Sequence, residues 1–434
     1  MNKAEFEQRL ISVLWLAGGL LTLLLLVWMA LVFYARLSDE PLDADTRAWL
    51  SYPLPNADPA KNGFFDQISL DSGSRNPREA AGEWIVAAHA MHDNDVVHVQ
   101  PASPAAFSRL YQHFLFPPDS GPSLAPDCIE ACYDLVVAKR ASIMIDMAGA
   151  RLARYEAMLA QPVYAEDLIP DLASIGIGYT AAPRLDRLYL ARMVCRLEDG
   201  QAAVAYADWQ QRQQFWLRVA SQAVTQVDQM QALAALARGQ ELLAEMLAHH
   251  PETLALAQAQ ALPLLADRGD ALRAQFARVL VHEMQYAQDG FSQIDLGSWL
   301  DHHNEATPGN IFAGFWGLVG VSLYQPGTSL NMARKMREHA MASVGLRLDG
   351  KPLRRFPELM RMCLEAGRAM PVTLDNPFGK YLVCRAAGSF LPLERRLEAY
   401  VAGTARLRQA VATGADAGHF TQLAALLPDY WQGK

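Results

Sequence analysis

Residues 11–34 read ISVLWLAGGLLTLLLLVWMALVFY, with no charged residue and no proline. As an α-helix this stretch extends about 36 Å at 1.5 Å per residue, against roughly 30 Å of hydrocarbon in a bilayer. It therefore predicts one membrane crossing with modest tilt. Trp28, Phe33 and Tyr34 fall toward its C-terminal end, where amphipathic rings favour the headgroup layer. A cleavable signal peptide carries an apolar core of about 7–15 residues and a small-residue cleavage site. Here the core is longer, Glu5 and Glu7 interrupt the charged leader, and no cleavage triplet follows. The stretch reads as an uncleaved anchor.

Basic residues close to a span set its orientation, and acids contribute little. Lys3, Arg9 and the terminal amine precede the span; Arg36 and Arg47 follow it, beside Asp39, Glu40, Asp43 and Asp45. The balance tilts toward a cytoplasmic N-terminus. A short tail, one span and a large following domain then predict a single-pass protein of a bacterial inner membrane facing the periplasm. Gly18 and Gly19 leave a small notch on the span that either faces lipid or receives another helix.

Outward from the anchor, the composition is that of a folded protein. Of 434 residues, 51% are hydrophobic and 19% charged, which excludes a disordered chain. The formal net charge of −8 supplies no basic surplus for tracking phosphates, so no nucleic-acid partner is expected. Five cysteines are too few for a disulfide scaffold in a chain this long.

The sequence predicts a tail over 1–10, the anchor over 11–35, a juxtamembrane linker over 36–75 and a helical domain over 76–434. A division of that domain near residue 180 is compatible with the pattern. The linker is rich in Asp, Pro, Asn and Ser, with Asn62-Gly63-Phe64-Phe65 as an ordered piece. Prolines at 77 and 104 open helices to about His92 and Phe116, and Asp127 caps a longer one to about Leu159. Between Pro183 and Pro251 only Gly200 and Gly239 interrupt good helix formers. Breaks at both predict helical hairpins, with Phe215, Val219, Val227, Met230, Leu233, Ala237, Leu243 and Leu247 as a buried stripe. Strand signals are scarce, Val96 to Val99 being the best. The predicted fold is mostly α: one transmembrane helix, then a helical-hairpin, solenoid-like or irregular all-α soluble domain. Residues 306–333 carry no charge. Their apolar part, 311–324, with Gly314, Gly317 and Gly320 at every third position, reads first as a buried core helix. Its alternative is a segment that dips into the bilayer or lines an acyl-chain pocket.

No motif predicts catalysis or a cofactor. There is no G-x-S-x-G elbow and no phosphate loop. His89, His92 and His98, with Asp93 and Asp95, are geometrically conceivable metal ligands, although histidines at a helix end also answer its dipole. His282-Glu283 opens like a zinc-protease helix but has Tyr286 where the second histidine belongs. The doubled histidines His249-His250 and His302-His303 read as cap or loop residues. Cys128 and Cys132, four apart on a helix, lie within disulfide reach. Cys363 and Cys384 are a second candidate pair, leaving Cys195 as a buried thiol; the other reading is that all five are small buried hydrophobes.

Several local patterns resemble a family of uncharacterised proteobacterial single-span inner-membrane proteins. They are Leu152-Ala153-Arg154-Tyr155 with Pro162-Val163-Tyr164, Phe215-Trp216-Leu217-Arg218, the run Gln325-Pro326-Gly327-Thr328-Ser329-Leu330-Asn331, and Asn376-Pro377-Phe378-Gly379. The family has no assigned activity, cofactor or catalytic residue, so the resemblance implies an anchor and no chemistry. Physically, Gln325-Pro326 and Asn376-Pro377 read as helix starts in which a neighbouring Asn or Ser side chain accepts from free backbone N–H groups. Together these readings predict a membrane-anchored interaction or scaffold protein with partners in the envelope. The alternative is a tethered hydrolase or lipid-binding protein with a site near 306–333.

Overall fold

The computed structural model describes residues 3–55, 58–70, 78–79, 145, 148–166, 181–292, 321–366, 376–387 and 390–432. These residues are mostly helical, with one long apolar helix near the N-terminus. By internal contacts the chain forms two compact units. The first comprises Met1–Ser51, Ala287–Ala340 and Arg354–Ser389; the second comprises Tyr52–Tyr286, Met341–Leu353 and Phe390–Lys434.

In the first unit, α1 (Lys3–Leu37) contains the apolar span Val13–Leu37, none of whose best window is buried by protein. Its last turns differ from the rest on one face. Ala35 is buried against Leu323, and half-buried Trp28 and Leu31 pack on the same cluster. Phe33 and Tyr34, on the other side, stay exposed. The stretch expected to be a linker continues directly into α2 (Ala44–Leu50), capped by the Asp43 carboxylate on the N–H of Thr46. The unit is completed by α9 (Pro326–Ser343), α10 (Pro357–Ala366) and α11 (Pro377–Ala387). A disulfide between Cys363 and Cys384 joins α10 to α11, with α-carbons 4.8 Å apart.

In the second unit, α3 (Gly63–Ser69) packs on α4 (Gly149–Leu159), and α5 (Ala181–Glu198) packs on α6 (Ala202–Gln222). Next come α7 (Gln226–His249) and, after a mixed helical turn over 251–261, α8 (Gly269–Ser292). The closing pair, α12 (Phe390–Thr413) and α13 (Ala417–Gln432), lies along α7. The Asn62 piece is ordered: its side chain accepts from the N–H of Phe64 and of Ala165 and donates to the carbonyl of Ala165. Phe64 thereby meets Tyr164 edge to face, and Tyr164 meets Phe215. Beneath them lies a buried polar centre. Arg212 clamps Asp186 through Nε and Nη2 at 2.6 and 2.7 Å, Tyr155 donates to the same carboxylate at 2.6 Å, and Trp216 donates to Tyr155. Burial pushes the Asp186 carboxyl up, but the Arg212 and Arg238 guanidiniums and the Tyr155 hydroxyl outweigh it and hold it below the usual range.

The helical run 183–251 breaks as expected at Gly200, whose φ of +75° ends α5. Gly239 departs from expectation. It lies inside α7, and the second break falls at residues 223–225, where Ala223 turns extended and Thr225 caps α7 through the N–H of Asp228. Gly239 is there for space: a Cβ would lie 2.4 Å from both Arg212 Nη1 and Gln213 Nε2. Its carbonyl accepts from Trp209 at 2.6 Å. The expected stripe is therefore divided between two helices, and Val227 and Met230 are only half-buried. Asp349-Gly350, with φ of 49° and 76°, turns a two-residue hairpin, Arg347–Leu348 against Lys351–Pro352, as Asp-Gly does in type I′ turns. The helices expected over 77–92 and 104–116, most of 127–159, Val96 to Val99 and the region near 180 lie outside the described residues, apart from residues 78–79, which are helical.

A second buried centre pairs two acids. Glu166 accepts from the N–H of Val224, and Asp228 accepts from Tyr164. Burial, then the neighbouring Asp228, push the Glu166 carboxyl well above the carboxylate range.

Two outcomes are expected. Gly239→Ala should destabilise the full chain by roughly 1–3 kcal/mol through overpacking, although Ala in an open helix interior gains about 1 kcal/mol; thermal unfolding in detergent followed by circular dichroism measures it. Because the folded Glu166 carboxyl is raised, its stabilising contribution is full below the unfolded carboxylate range and declines as pH rises above it. The Glu166 contribution should therefore fall as pH rises above the carboxylate range, and Glu166→Gln should remove that fall from the pH dependence of stability. An unaltered slope would remove Glu166 from the account.

Candidate functional site

The residues that follow the long apolar helix are held closely against α9. Helix α9 begins at Pro326, whose missing N–H and fixed φ suit a first helical position. The free N–H groups of the next two residues point at Asp39: Gly327 donates at 3.2 Å and Thr328 at 2.9 Å, and the Thr328 hydroxyl donates at 3.1 Å. Thr328 in turn accepts from the N–H of Glu40. Further along, Asn331 donates to the Pro41 carbonyl and accepts from the Asp43 N–H, at 3.0 and 2.9 Å. Gln325 donates to the Ser38 hydroxyl at 2.8 Å. Residues 38–43 are thus laced to the first turns of α9, and the strap begins where α1 ends.

Gly327 is required by closeness: a Cβ there would lie 2.2 Å from the Glu40 carbonyl oxygen. On the opposite side of the α9 start sits Asn376, fully buried at φ +45°, a left-handed conformation that Asn tolerates better than most residues. Its side chain accepts from the Gln325 N–H and donates to the Ser329 hydroxyl, at 3.2 and 2.9 Å. Gly379 leaves room for this, since a Cβ would lie 2.0 Å from Ser329 Oγ. The two runs 325–331 and 376–379, distant in sequence, therefore form one joint. Their prolines start helices as expected, but the capping is not local. The acceptor for α9 comes from Asp39, and Asn376 serves α9 rather than its own helix.

Charge extends the joint. Arg334, almost wholly buried, pairs with Glu338 and approaches Asp43 at 3.4 Å. Arg354 pairs with Glu338 and Asp45. Burial pushes the Asp43 carboxyl up, but hydrogen bonds from Thr46 and the Arg334 charge prevail and hold it low. Beside this network opens a cavity of about 430 Å³, in which Lys335 and Arg355 stand with Glu40 and Glu358 over an apolar floor that includes Met332 and Phe356. A second cavity, of about 380 Å³ in the other unit, has Tyr400, Thr404, Arg268 and Arg408 in its lining.

The residues singled out from sequence fare unevenly. His89, His92 and His98, Cys128 and Cys132, His302-His303 and residues 306–320 lie outside the described residues. Cys363 and Cys384 are joined, and Cys195 is half-buried rather than buried. His282 packs edge to face on Tyr52, and burial lowers its imidazole to about 4. Glu283 accepts from the backbone and side chain of Gln226 at the start of α7. His250 follows α7 between Glu198 and Glu252. No cluster of three metal-binding side chains occurs among the described residues. Asp39 and Glu40 were visible in the sequence only as acids too weak to set orientation. An Asp-x-Pro run next to a span was their one local signal.

Gly327→Ala should part the strap from α9 and speed hydrogen exchange at the amides of Glu40 and Thr328 by roughly tenfold or more. Asp39→Ala, which removes the cap, should act in the same direction with a loss of about 0.5–2 kcal/mol. Unchanged exchange in both variants would show that the strap does not hold. No protein-family model matches the chain, and no curated protein or solved structure matches it either.

Proposed function

We infer that the protein is a membrane-anchored helical scaffold of the bacterial envelope, with its N-terminus in the cytoplasm and its main domain in the periplasm. One observation carries the reading: the apolar helix passes without a free tether into residues capped onto α9, Asp39 accepting from the N–H groups of Gly327 and Thr328. A helix whose most apolar window is free of protein and whose last turns lead into such a joint suits a rigid mount in a bilayer. A mobile substrate-capturing arm would be better served by a loose linker. The Cys363–Cys384 bridge favours an oxidising compartment over the cytosol. The resemblance to single-span inner-membrane proteins points the same way. On this reading the helical surfaces bind envelope proteins, and no chemistry is assigned to them.

Two measurements test the reading. A reporter active only in the periplasm, fused after Lys434, should be active, and a cytosol-only reporter at the same point silent; the reverse overturns the orientation. Crosslinking of the full chain in intact cells should recover the same envelope protein repeatedly. Recovery of no reproducible partner would overturn the scaffold assignment.

A further inference from the structure

The cavity beside the strap opens close to the end of the long apolar helix. The apolar span ends at Leu37, and Glu40, in the cavity lining, is only three residues further on. Three residues reach at most about 10 Å even when extended, and residues 38–40 are pinned to α9 rather than extended away. The headgroup layer on each side of the hydrocarbon is roughly 5–8 Å deep. An α1 seated in a bilayer therefore places this opening at headgroup height.

The lining is neutral but divided in charge. Lys335 and Arg355 supply two cations and Glu40 and Glu358 two carboxylates, of which Glu358 also pairs with Arg361 on α10, leaving Glu40 as the principal acid for a ligand. Lys335 is half-buried on α9, one turn beyond Asn331, and Arg355 is exposed on the segment that leads into α10. A ligand with only a negative group would meet the carboxylates unfavourably, and a purely cationic one would meet Lys335 and Arg355. A phosphate ester with an ammonium two carbons away satisfies both pairs, the phosphate on the cations and the ammonium on the acids. Met332, Phe356 and Leu359 offer an apolar surface for the carbon atoms between and beyond them. The volume of about 430 Å³ is of the size that holds a small polar head with its glycerol.

We propose that this cavity is a binding site for a phosphoethanolamine headgroup, presented by phosphatidylethanolamine of the same leaflet that holds α1. The site rests on the anchored reading above and gives the mount a lipid partner. It fixes the first unit at the bilayer surface through lipid as well as through α1.

The test uses the full chain in vesicles of phosphatidylethanolamine and phosphatidylglycerol. The probe is phosphatidylethanolamine with its headgroup intact and a photoreactive group at the top of one acyl chain. Labelling should map to peptides containing residues 332–335 or 355–359 and be displaced by unlabelled phosphatidylethanolamine better than by phosphatidylglycerol. Lys335→Gln and Arg355→Gln should each lower labelling roughly tenfold, the loss of a charge-assisted contact. Glu40→Gln should keep the phosphate contact but abolish the preference over phosphatidylglycerol. Retained thermal unfolding shows that each variant is folded. Resistance of the chain to alkaline carbonate extraction separates the two levels of the argument. An embedded chain whose labelling is unaffected by these substitutions overturns the site alone; a chain released by carbonate overturns the anchored reading and the site together. Displacement by soluble phosphoethanolamine as effective as by the lipid would overturn the lipid source.

Discussion

One carboxylate joins the long apolar helix of this protein to the helices that follow it. Helix α9 begins with N–H groups that its own turns cannot satisfy, as every helix does. Asp39, two residues beyond the end of α1, is the group that satisfies them. Without that acceptor the first turn of α9 would need water or another partner, and residues 38–43 would have little reason to lie against it. The remaining contacts depend on this register. Asn331 reaches Pro41 and Asp43 only if Asp39 sits over Gly327, and Arg334 reaches Asp43 only one turn further on. Gly327 and Gly379 are spaces left for this arrangement, and Asn376 holds its far side.

The second unit solves a different problem by similar means. Its large side chains cluster around charges that are wholly withdrawn from water. The Asp186 carboxylate is met by Arg212 through two nitrogens and by Tyr155, and Trp216 completes the chain of donors. Such a pair contributes modest net stability, since both ions have lost their hydration, but removing one partner leaves the other stranded. It also fixes helix register: Arg212 donates to the Ala235 carbonyl, so α6 and α7 meet at one setting.

How much of this was legible in the sequence differs by residue. The long apolar helix was, because an unbroken apolar run without proline is a local property of the sequence. Pro326, Pro377 and Gly200 also announced themselves, through fixed φ, a missing donor or a turn that favours glycine. Gly239 misled, since a glycine that breaks a helix and one that admits a neighbouring arginine look identical until α6 and α7 are docked. The joint itself was hidden for a related reason. Asp39 and Thr328 are 289 residues apart, and no periodicity links an acid after one helix to the free amides of another. The runs 325–331 and 376–379 stood out as unusual stretches, but their meaning lies in their being side by side.

The bridge between Cys363 and Cys384 closes a loop across 21 positions, a constraint worth about 3 kcal/mol on chain-entropy grounds. It also alters what damage means for this part of the chain. A peptide bond severed anywhere inside that ring leaves the fragments tethered, and they separate only once a reductant opens the sulfur link. A protease can therefore nick the ring without releasing either fragment from the rest of the chain.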